Sequence, residues 1–359
     1  PIDMVDAAPL SRFITPAAAL SGLVLIAAAA MLSAGGCAEQ TRDSATGMPA
    51  KFQTNEESRP SPSGSNFSAG SLVNAGKSAL ARGDRQQALA EFIKAIEVNP
   101  TLTDAHLGVA DVYFSDGNYA AAEPGYRKAA QLEPRNYKAQ YYHGLVLHLL
   151  NRTGEAVSAY LRALTVQPND FDANVNLASA YYALGDHRQA LPYAERSVQI
   201  NPRHGQARFN LGAIFASLDR HELAVIEYQQ AAELMELSPD LLLRLSESLA
   251  KLQRWDEAKN TLLALTKSKP SAPAWERLGT AEFRLNSFAD ATNAFNQAIA
   301  LDPNYFPALN GLGVCELNTW LESNQTDDGA RQRGLTALRK SLSVNRAQPK
   351  VEDILARYR

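Results

Sequence analysis

Residues 275–303 read WERLGTAEFRLNSFADATNAFNQAIALDP, and the spacing of small, bulky and turn-forming side chains in this stretch decides the fold. Ala291 is small enough for two helices to cross closely, and Phe295 lies one helical turn further along the same face, where it fills the remaining gap. Gly279 lets the first helix approach the backbone of its partner. Pro303 lacks a backbone N–H donor and ends the second helix.

The same marker recurs through the chain as a small residue, a bulky residue four positions later, a small residue seven later and a proline twelve later. The first small residues of the seven copies are Ala88, Ala122, Ala156, Ala190, Ala224, Ala258 and Ala291. The first four copies close at intervals of 34 residues, on Pro100, Pro134, Pro168 and Pro202. The fourth copy has Ala194 at the bulky position, and the fifth has Glu236 at the proline position. Chance does not maintain a fixed period over seven copies, so the chain is predicted to be a helical array.

The set formed by Trp275, Leu278, Gly279, Ala291, Phe295, Ala298 and Pro303 resembles the tetratricopeptide repeat (TPR), a helix–turn–helix unit of about 34 residues. The resemblance covers roughly Gly70 to Val344. One departure is Glu282, which stands where that family prefers an aromatic residue, although Phe283 is adjacent.

The resemblance implies an all-α fold, a right-handed superhelical solenoid of about eight units over residues 70–346. Seven units are regular. The eighth is degenerate, opening at Leu312-Gly313, and its polar connection at residues 324–329 is too long for the usual tight turn. Apolar residues at helical spacing in residues 347–359 predict a capping helix that covers the end of the array.

Composition agrees with this reading, because no stretch shows the alternating apolar pattern of strands. The net charge is −3, and a general nucleic-acid binder would normally present a strongly basic face, so no nucleic-acid partner is expected. The C-terminal stretch from Arg331 is locally basic, and such charge is more often a solvated face than a binding site.

The N-terminal residues 1–36 resemble a bacterial lipoprotein signal peptide. An almost purely apolar run from Ile14 to Leu32 follows Arg12, and small residues lead directly to Cys37. The resemblance implies that Cys37 takes up the lipid and becomes the mature N-terminus. The alternative is a single uncleaved N-terminal transmembrane anchor, because the run is nearly long enough to span a bilayer.

Residues 37–69 carry the lipidated cysteine and a tether rich in Ser, Pro and Gly. This composition cannot bury enough apolar surface to fold, so the tether is predicted to be disordered, with a reach of about 30 Å. Ala38 stands where an Asp would imply retention at the inner membrane in the lipoprotein family. The expected location is therefore the cell envelope, lipid-anchored at the outer membrane and facing the periplasm.

The sequence contains no motif typical of a nucleotide-binding, metal-binding or catalytic site. Gly76-Lys77-Ser78 lacks the earlier glycine and the strand–loop–helix context of a phosphate-binding loop. His143 and His148 are five residues apart, which does not place them on one helix face as metal ligands. If Cys37 carries lipid, Cys315 has no disulfide partner and is interpreted as a small buried hydrophobe. No catalytic constellation, metal, cofactor or small-molecule substrate is evident, and the chain is predicted not to be an enzyme.

The remaining functional feature is the surface of the first helices, which in the TPR family line a concave face that binds partner peptides. Along this face, reading at i, i+4, i+7 spacing places aromatic side chains at recurring positions. The predicted partner-binding residues are Phe114, Tyr141, His148, Tyr182 and Phe209. The alternative is that these rings only pack between adjacent first helices.

The sequence therefore predicts a membrane-anchored TPR scaffold or adaptor that binds other proteins in an envelope assembly or secretion complex. Two further classes remain open. One is a regulator that recruits an envelope protease or peptidoglycan hydrolase, which would use the same surface. The other is an enzyme in its own right, which would need a catalytic constellation that the sequence does not show.

Replacing Cys37 with Ala should abolish lipid labelling, because the cysteine sulfur is the predicted acceptor of the diacylglycerol group. Metabolic labelling with a radioactive or alkyne fatty acid, followed by capture of the chain, measures this. The wild-type chain should be labelled and Cys37→Ala should not. Equal labelling of the two chains would show that Cys37 is not the lipidation site.

Overall fold

The computed structural model describes residues 68–358, and these residues form seventeen α-helices and no β-strand. The all-α prediction is thereby confirmed. The predicted signal peptide, Cys37 and nearly all of the tether lie outside the described residues. The described residues divide into two compact units, residues 68–168 and residues 169–358.

The first unit consists of three helix pairs in which each helix packs on the next along the chain. The helices are α1 (Ala69–Ala81), α2 (Arg85–Val98), α3 (Thr103–Ser115), α4 (Tyr119–Leu132), α5 (Tyr137–Leu149) and α6 (Thr153–Val166). α1 starts one residue before the predicted beginning of the array at Gly70, because Ser68 caps it by accepting a hydrogen bond from the Ser71 backbone N–H.

The second unit contains five further helix pairs and a last single helix, again with consecutive helices in contact. The first three pairs are α7 (Phe171–Ala183) with α8 (His187–Ile200), α9 (Gly205–Ser217) with α10 (His221–Leu234), and α11 (Pro239–Lys251) with α12 (Trp255–Ser268). The remaining helices are α13 (Ala272–Arg284), α14 (Phe288–Leu301), α15 (Phe306–Glu322), α16 (Asp328–Val344) and α17 (Pro349–Arg357).

A three-residue turn joins the two helices of each regular pair, and it repeats with the period of the sequence. Its middle residue has a positive φ in all seven copies, at Gly83, Gly117, Asn151, Gly185, Asp219, Gln253 and Asn286. In the first copy the Asp84 backbone N–H donates to the Ala79 carbonyl at 3.0 Å, which closes α1 in a left-handed cap. The Asp84 carboxylate then accepts from the Gln87 N–H at 2.9 Å and starts α2.

Helix spacing is set by a ring that packs against positions without a side chain. Phe92 of α2 is 1% exposed. A Cβ added at Gly76 of α1 would lie 2.7 Å from the Phe92 ring, and one added at Gly108 of α3 would lie 2.6 Å from it. The ring is therefore held between the first helix of its own pair and the first helix of the next pair. Phe295 occupies the same position between Gly279 and Gly311.

The eighth pair departs from the others in helix length. α15 and α16 have 17 residues each, whereas the earlier helices have 13 or 14. Leu338 replaces the aromatic ring, and a Cβ on Gly313 would approach it to 2.5 Å. The connection spans residues 323–327, and Asn324 and Gln325 both have positive φ there.

The last helix, α17, covers the end of this pair. It buries Val351 and Leu355 in a cluster with Leu338. Gln348, at its N-terminus, accepts a hydrogen bond from Asn310 Nδ2 of α15 at 2.7 Å and donates to Ser341 Oγ of α16 at 3.0 Å. These bonds satisfy polar groups that would otherwise be buried without partners.

Cys315 and Glu282 are both buried, and each has a structural role. Cys315 is 0% exposed, and burial raises the pKa of its thiol to about 12, so it is unreactive near neutral pH. This confirms its interpretation as a small buried hydrophobe. Glu282, which stands at the position usually taken by an aromatic residue, lies 3.2 Å from Lys259 Nζ. Phe283 beside it is buried and packs against the Phe288 ring at 5.3 Å.

Gly311→Ala should destabilise the protein, because the new methyl group would lie within 2.3 Å of the rigid Phe295 ring. Overpacking of this kind typically costs about 1–3 kcal/mol. Gly154→Ala in α6 is the matched control, because nothing lies within 4 Å of its Cβ position. Thermal and urea unfolding midpoints followed by circular dichroism should fall for Gly311→Ala alone. Equal midpoints for the two variants would contradict the ring-against-glycine packing.

Candidate functional site

The first unit carries a cluster of aromatic rings on α3, α4 and α5, here called the aromatic cluster and defined as Phe114, Tyr119, Tyr126, Tyr141 and Tyr142. The Phe114 ring lies 5.5 Å from that of Tyr119 and 5.7 Å from that of Tyr142. Tyr142 stacks on Tyr126 at 5.6 Å and meets Tyr141 edge-on at 5.2 Å. These centroid distances fall in the range of attractive aromatic pairs, so the rings support one another.

The rings of the aromatic cluster differ in exposure: some are buried and the others are partly accessible to solvent. Tyr126 is 0% exposed and Tyr141 is 3% exposed, so their rings belong to the packed interior. Phe114, Tyr119 and Tyr142 are partly exposed. A partner molecule can therefore reach the outer parts of three neighbouring rings, which rest on two buried ones.

A charged pair fixes the polar edge of the aromatic cluster. Asp111 accepts a hydrogen bond from the Tyr126 hydroxyl at 2.7 Å and another from Lys138 Nζ at 2.6 Å. Burial, together with Asp111, raises the pKa of Tyr126 far above its usual value, so the phenol stays protonated and remains the donor. Lys138 Nζ lies 5.9 Å from the centre of the Tyr142 ring. The accessible rings are thus bordered by a half-exposed ammonium group and a carboxylate.

His148, near the C-terminal end of α5, is an apolar contributor at neutral pH. Its ring lies 6.3 Å from that of Tyr160. Burial lowers its pKa to about 4, so the imidazole is neutral under physiological conditions. Among the described residues its Nδ1 atom has no hydrogen-bond partner.

His143 of α5 belongs to a different feature, a charge cluster around the buried Glu123 of α4. Glu123 is 5% exposed, and its Oε1 lies 3.3 Å from Arg152 Nη1 and 3.4 Å from His143 Nε2. Arg152 also pairs with Glu155 at 2.7 Å. Arg152 thus neutralises the buried Glu123 carboxylate and ties α4 to the start of α6.

The second unit carries a separate group built around Arg244 of α11. The Arg244 guanidinium lies 5.7 Å from the Phe209 ring of α9 and pairs with Asp240 at 3.1 Å. Burial alone would lower the pKa of Arg244, but Asp240, Tyr182 and Tyr228 together outweigh it, and the pKa stays above its usual value. Phe209 packs on Tyr228 of α10 at 5.7 Å.

Tyr182 of α7 is the most accessible ring of this group. It is partly exposed, it lies 4.9 Å from the His187 ring, and its hydroxyl is 3.4 Å from Ser217 Oγ of α9. Phe209 itself is 4% exposed and contributes to packing. A partner of the second unit would therefore meet Tyr182 and the edge of the Arg244 guanidinium more than Phe209.

The five predicted residues thus fall into two sets. In the first unit, Phe114 and Tyr141 both contact Tyr142, and His148 lies further along α5. In the second unit, Tyr182 packs against the core cluster that contains Phe209. For Tyr141 and Phe209 the burial supports the alternative reading, that the rings pack between helices, whereas Phe114, Tyr182 and His148 are partly exposed.

Sequence reasoning missed three residues of these surfaces, Tyr119, Tyr142 and Arg244. A signal for two of them existed. Tyr142 and Arg244 stand at one position of the repeat, which is glycine in two pairs, at Gly108 and Gly311. Reading that position along the chain would have found a tyrosine and an arginine at a position where these two pairs have no side chain.

The profile of the tetratricopeptide repeat family matches residues 73–133, 175–240, 243–306 and 276–319, and a second TPR profile matches residues 144–185. These matches cover more than half of the chain. The chain therefore belongs to the tetratricopeptide repeat family, whose fold generally serves as a non-catalytic scaffold for protein interactions. A search of curated proteins found no match.

Solved structures with a similar fold share little sequence with this chain. A tetratricopeptide repeat protein from Parabacteroides merdae is 18% identical, with 71% of this chain and 98% of that chain covered and a TM-score of 0.47. PilF of Pseudomonas aeruginosa is 24% identical, with 56% and 92% covered and a TM-score of 0.46. MamA is 22% identical, with 44% and 92% covered and a TM-score of 0.42.

Among the helices of residues 68–358, none is both long and apolar enough to cross a membrane.

His148→Phe should make the protein less sensitive to acid. The folded-state pKa of about 4 lies below the ordinary value of about 6.5, so the unfolded chain takes up the proton first. Wild-type stability should therefore fall as the pH drops from 6.5 towards 4, and Phe removes this contribution. Thermal unfolding midpoints at pH 7.5 and pH 5.0 measure it. An equal drop for both proteins would show that His148 titrates normally in the folded state.

Proposed function

We propose that this protein is a membrane-anchored TPR scaffold that binds partner proteins in the bacterial cell envelope, as part of an assembly or secretion complex. The observation that carries the binding role is the partly exposed ring surface of Phe114, Tyr119 and Tyr142. Aromatic residues that rest on a rigid base contribute strongly to protein interfaces, because they bury much area at a low cost in side-chain entropy.

Polar groups beside the rings give the surface directionality. Lys138 and Asp111 are paired with each other, so both are held in place before a partner arrives. A partner segment that stacks on the rings can exchange hydrogen bonds with these two groups at the rim, where exposed charges influence orientation and association rate. Tyr182 and Arg244 offer a comparable pairing of ring and charge in the second unit.

The membrane anchor is supported by the sequence that precedes Cys37. An apolar run that ends in small residues before a cysteine fits a lipoprotein signal, and Ala38 favours the outer membrane. A polar tether of the composition found up to residue 69 gives the helical array a reach of about 30 Å from the lipid. The scaffold would thus present its partners close to the membrane surface.

Tyr142→Ala and Tyr182→Ala, made separately, should weaken partner binding without loss of helix. Removal of an interface ring typically costs about 1–2 kcal/mol or more, roughly a 5- to 30-fold loss of affinity. The full chain is captured after crosslinking in its own envelope, and the partners are identified and quantified by mass spectrometry. Tyr142 is chosen over Tyr141 because the Tyr141 ring is buried.

Arg339→Ala with Lys340→Ala is the control, because both side chains are exposed on the basic end and distant in sequence from the rings. This pair should retain capture. If it abolishes capture while both tyrosine variants bind normally, the partner binds the basic terminus instead. If a tyrosine variant loses helical content by circular dichroism, that ring is required for packing and its assignment to the binding surface fails.

A further inference from the structure

The outer face of α10 exposes an apolar stripe that the core does not use. Leu223, Ile226 and Leu234 are 42%, 47% and 41% exposed. At 100° per residue these positions lie within a sector of about 80°, and Gln230 is the polar residue between them. The opposite side of α10 carries Ala224, Tyr228 and Ala231, all 0% exposed, which form the packing contacts of the pair. The helix is therefore apolar on both faces, although only one face is buried.

The other repeats provide an internal comparison for each of these positions. At the position of Leu223 they carry Gln87, Ala121, Glu155, Gln189, Glu257 and Asp290. At the position of Ile226 they carry Ala90, Pro124, Ser158, Pro192, Asn260 and Asn293. Packing of the array therefore does not call for a large aliphatic residue at either position. In contrast, most copies are apolar at the position of Leu234, so that residue follows the pattern of the repeat.

Leu237, just after α10, shows the same departure. It is 50% exposed, and the other copies carry Thr101, Arg135, Asn169, Arg203, Ser271 and Asn304 at its position. Among the seven regular repeats, these three solvent-facing positions thus carry a large aliphatic residue in one repeat only. Exposed aliphatic residues of this kind are costly in water, and when several lie together they mark an interaction surface.

Carboxylates flank the stripe and define the charge of its partner. Glu222 and Glu233 are exposed and lie along one edge of α10, and among the described residues neither has an ion-pair partner. On the other edge, Glu227 is already paired with Arg208 at 2.8 Å. The free charge beside the stripe is therefore negative.

This charge argues against two possible occupants. A second copy of α10 packed antiparallel on the stripe would place Glu222 of one chain beside Glu233 of the other, and like charges at such a contact are unfavourable. An anionic lipid surface would be repelled by the same carboxylates. A partner with basic residues beside an apolar stripe would match both the exposed aliphatic residues and the carboxylates that flank them.

We propose that the outer face of α10 docks an amphipathic helix of a partner protein that carries Lys or Arg beside its apolar stripe. The stripe from Leu223 to Leu234 is about 16 Å long at 1.5 Å per residue, so it accommodates about three turns of a partner helix. The docking surface faces away from the packed side of α10 and is separate from Tyr182 and Arg244. One chain can then hold two partners at once.

The test uses a synthetic 14-residue amphipathic peptide with a Leu stripe, Lys at the flanking positions and a benzophenone photo-crosslinker. Its counterpart has Glu in place of every Lys. Each peptide is titrated against the full chain in neutral detergent, and crosslinks are mapped and quantified by mass spectrometry. The Lys peptide should crosslink within residues 221–237, with at least tenfold higher affinity than the Glu peptide. The detergent is the same in every arm, so peptide taken up by micelles affects all arms equally.

The double variant Leu223→Gln with Ile226→Ser should lower the affinity of the Lys peptide at least tenfold. Other repeats carry Gln and Ser at these two positions, so the variant should still fold. Glu222→Gln with Glu233→Gln should lower it severalfold. The matched control is Ile93→Ser with Val98→Gln in α2, which removes two other exposed aliphatic residues and should leave binding unchanged.

Three results would overturn the proposal. The first is equal crosslinking of the Lys and Glu peptides. The second is crosslinking that persists in the Leu223/Ile226 variant. The third is self-association of the wild-type chain, seen by sedimentation, that the same variant abolishes, because the occupant is then a second copy. If that variant loses helical content, the glutamate variant and the comparison of the two peptides still decide the question.

Discussion

The contact between a bulky side chain and a helix position that has no side chain sets the spacing of the helices in both units. Phe92 lies against Gly76 and Gly108, and Phe295 lies against Gly279 and Gly311. Interiors pack at close to crystalline density, so a ring of fixed size held between two backbones determines how near the helices come. The turn with a positive φ at its middle residue returns the chain at the correct distance for this contact. In these copies the local and tertiary constraints therefore agree.

This agreement explains why the fold could be predicted from the sequence. The helices, their pairing and the crossing residues are all specified by constraints that act once per repeat, so the period of about 34 residues makes them visible. The left-handed turn position shares this period, yet it varies between Gly, Asn, Asp and Gln. A search for glycine alone finds only Gly83, Gly117 and Gly185. The structural requirement is for φ, and several polar residues meet it at a modest cost.

The exposed edge of the first helices is harder to locate from the sequence, because a helix turns by 100° per residue and an error of one position moves a side chain from the surface to the interior. The stripe that included Tyr141 and Phe209 follows the buried edge of the first helices, whereas Tyr142 and Arg244 lie one or more positions away on the accessible edge. The side chains at that edge also depend on long-range partners. Nothing in the sequence around Asp111 shows that it binds both Tyr126 and Lys138, since those contacts form only when three helices have packed.

Departures from the repeat fall into two kinds, and the difference bears on function. The packing surface at the end of the array would be exposed without the changes in the last pair. Its helices are longer, Leu338 replaces a ring, and Gln348 forms hydrogen bonds to both helices. These changes are explained by contacts within the chain. Leu223, Ile226 and Leu237, on and just after the outer face of α10, also depart from the pattern, but they are exposed and the core does not use them. Since each position is sampled about seven times in one chain, a solvent-facing departure without an internal contact is the place where a binding role is most directly indicated.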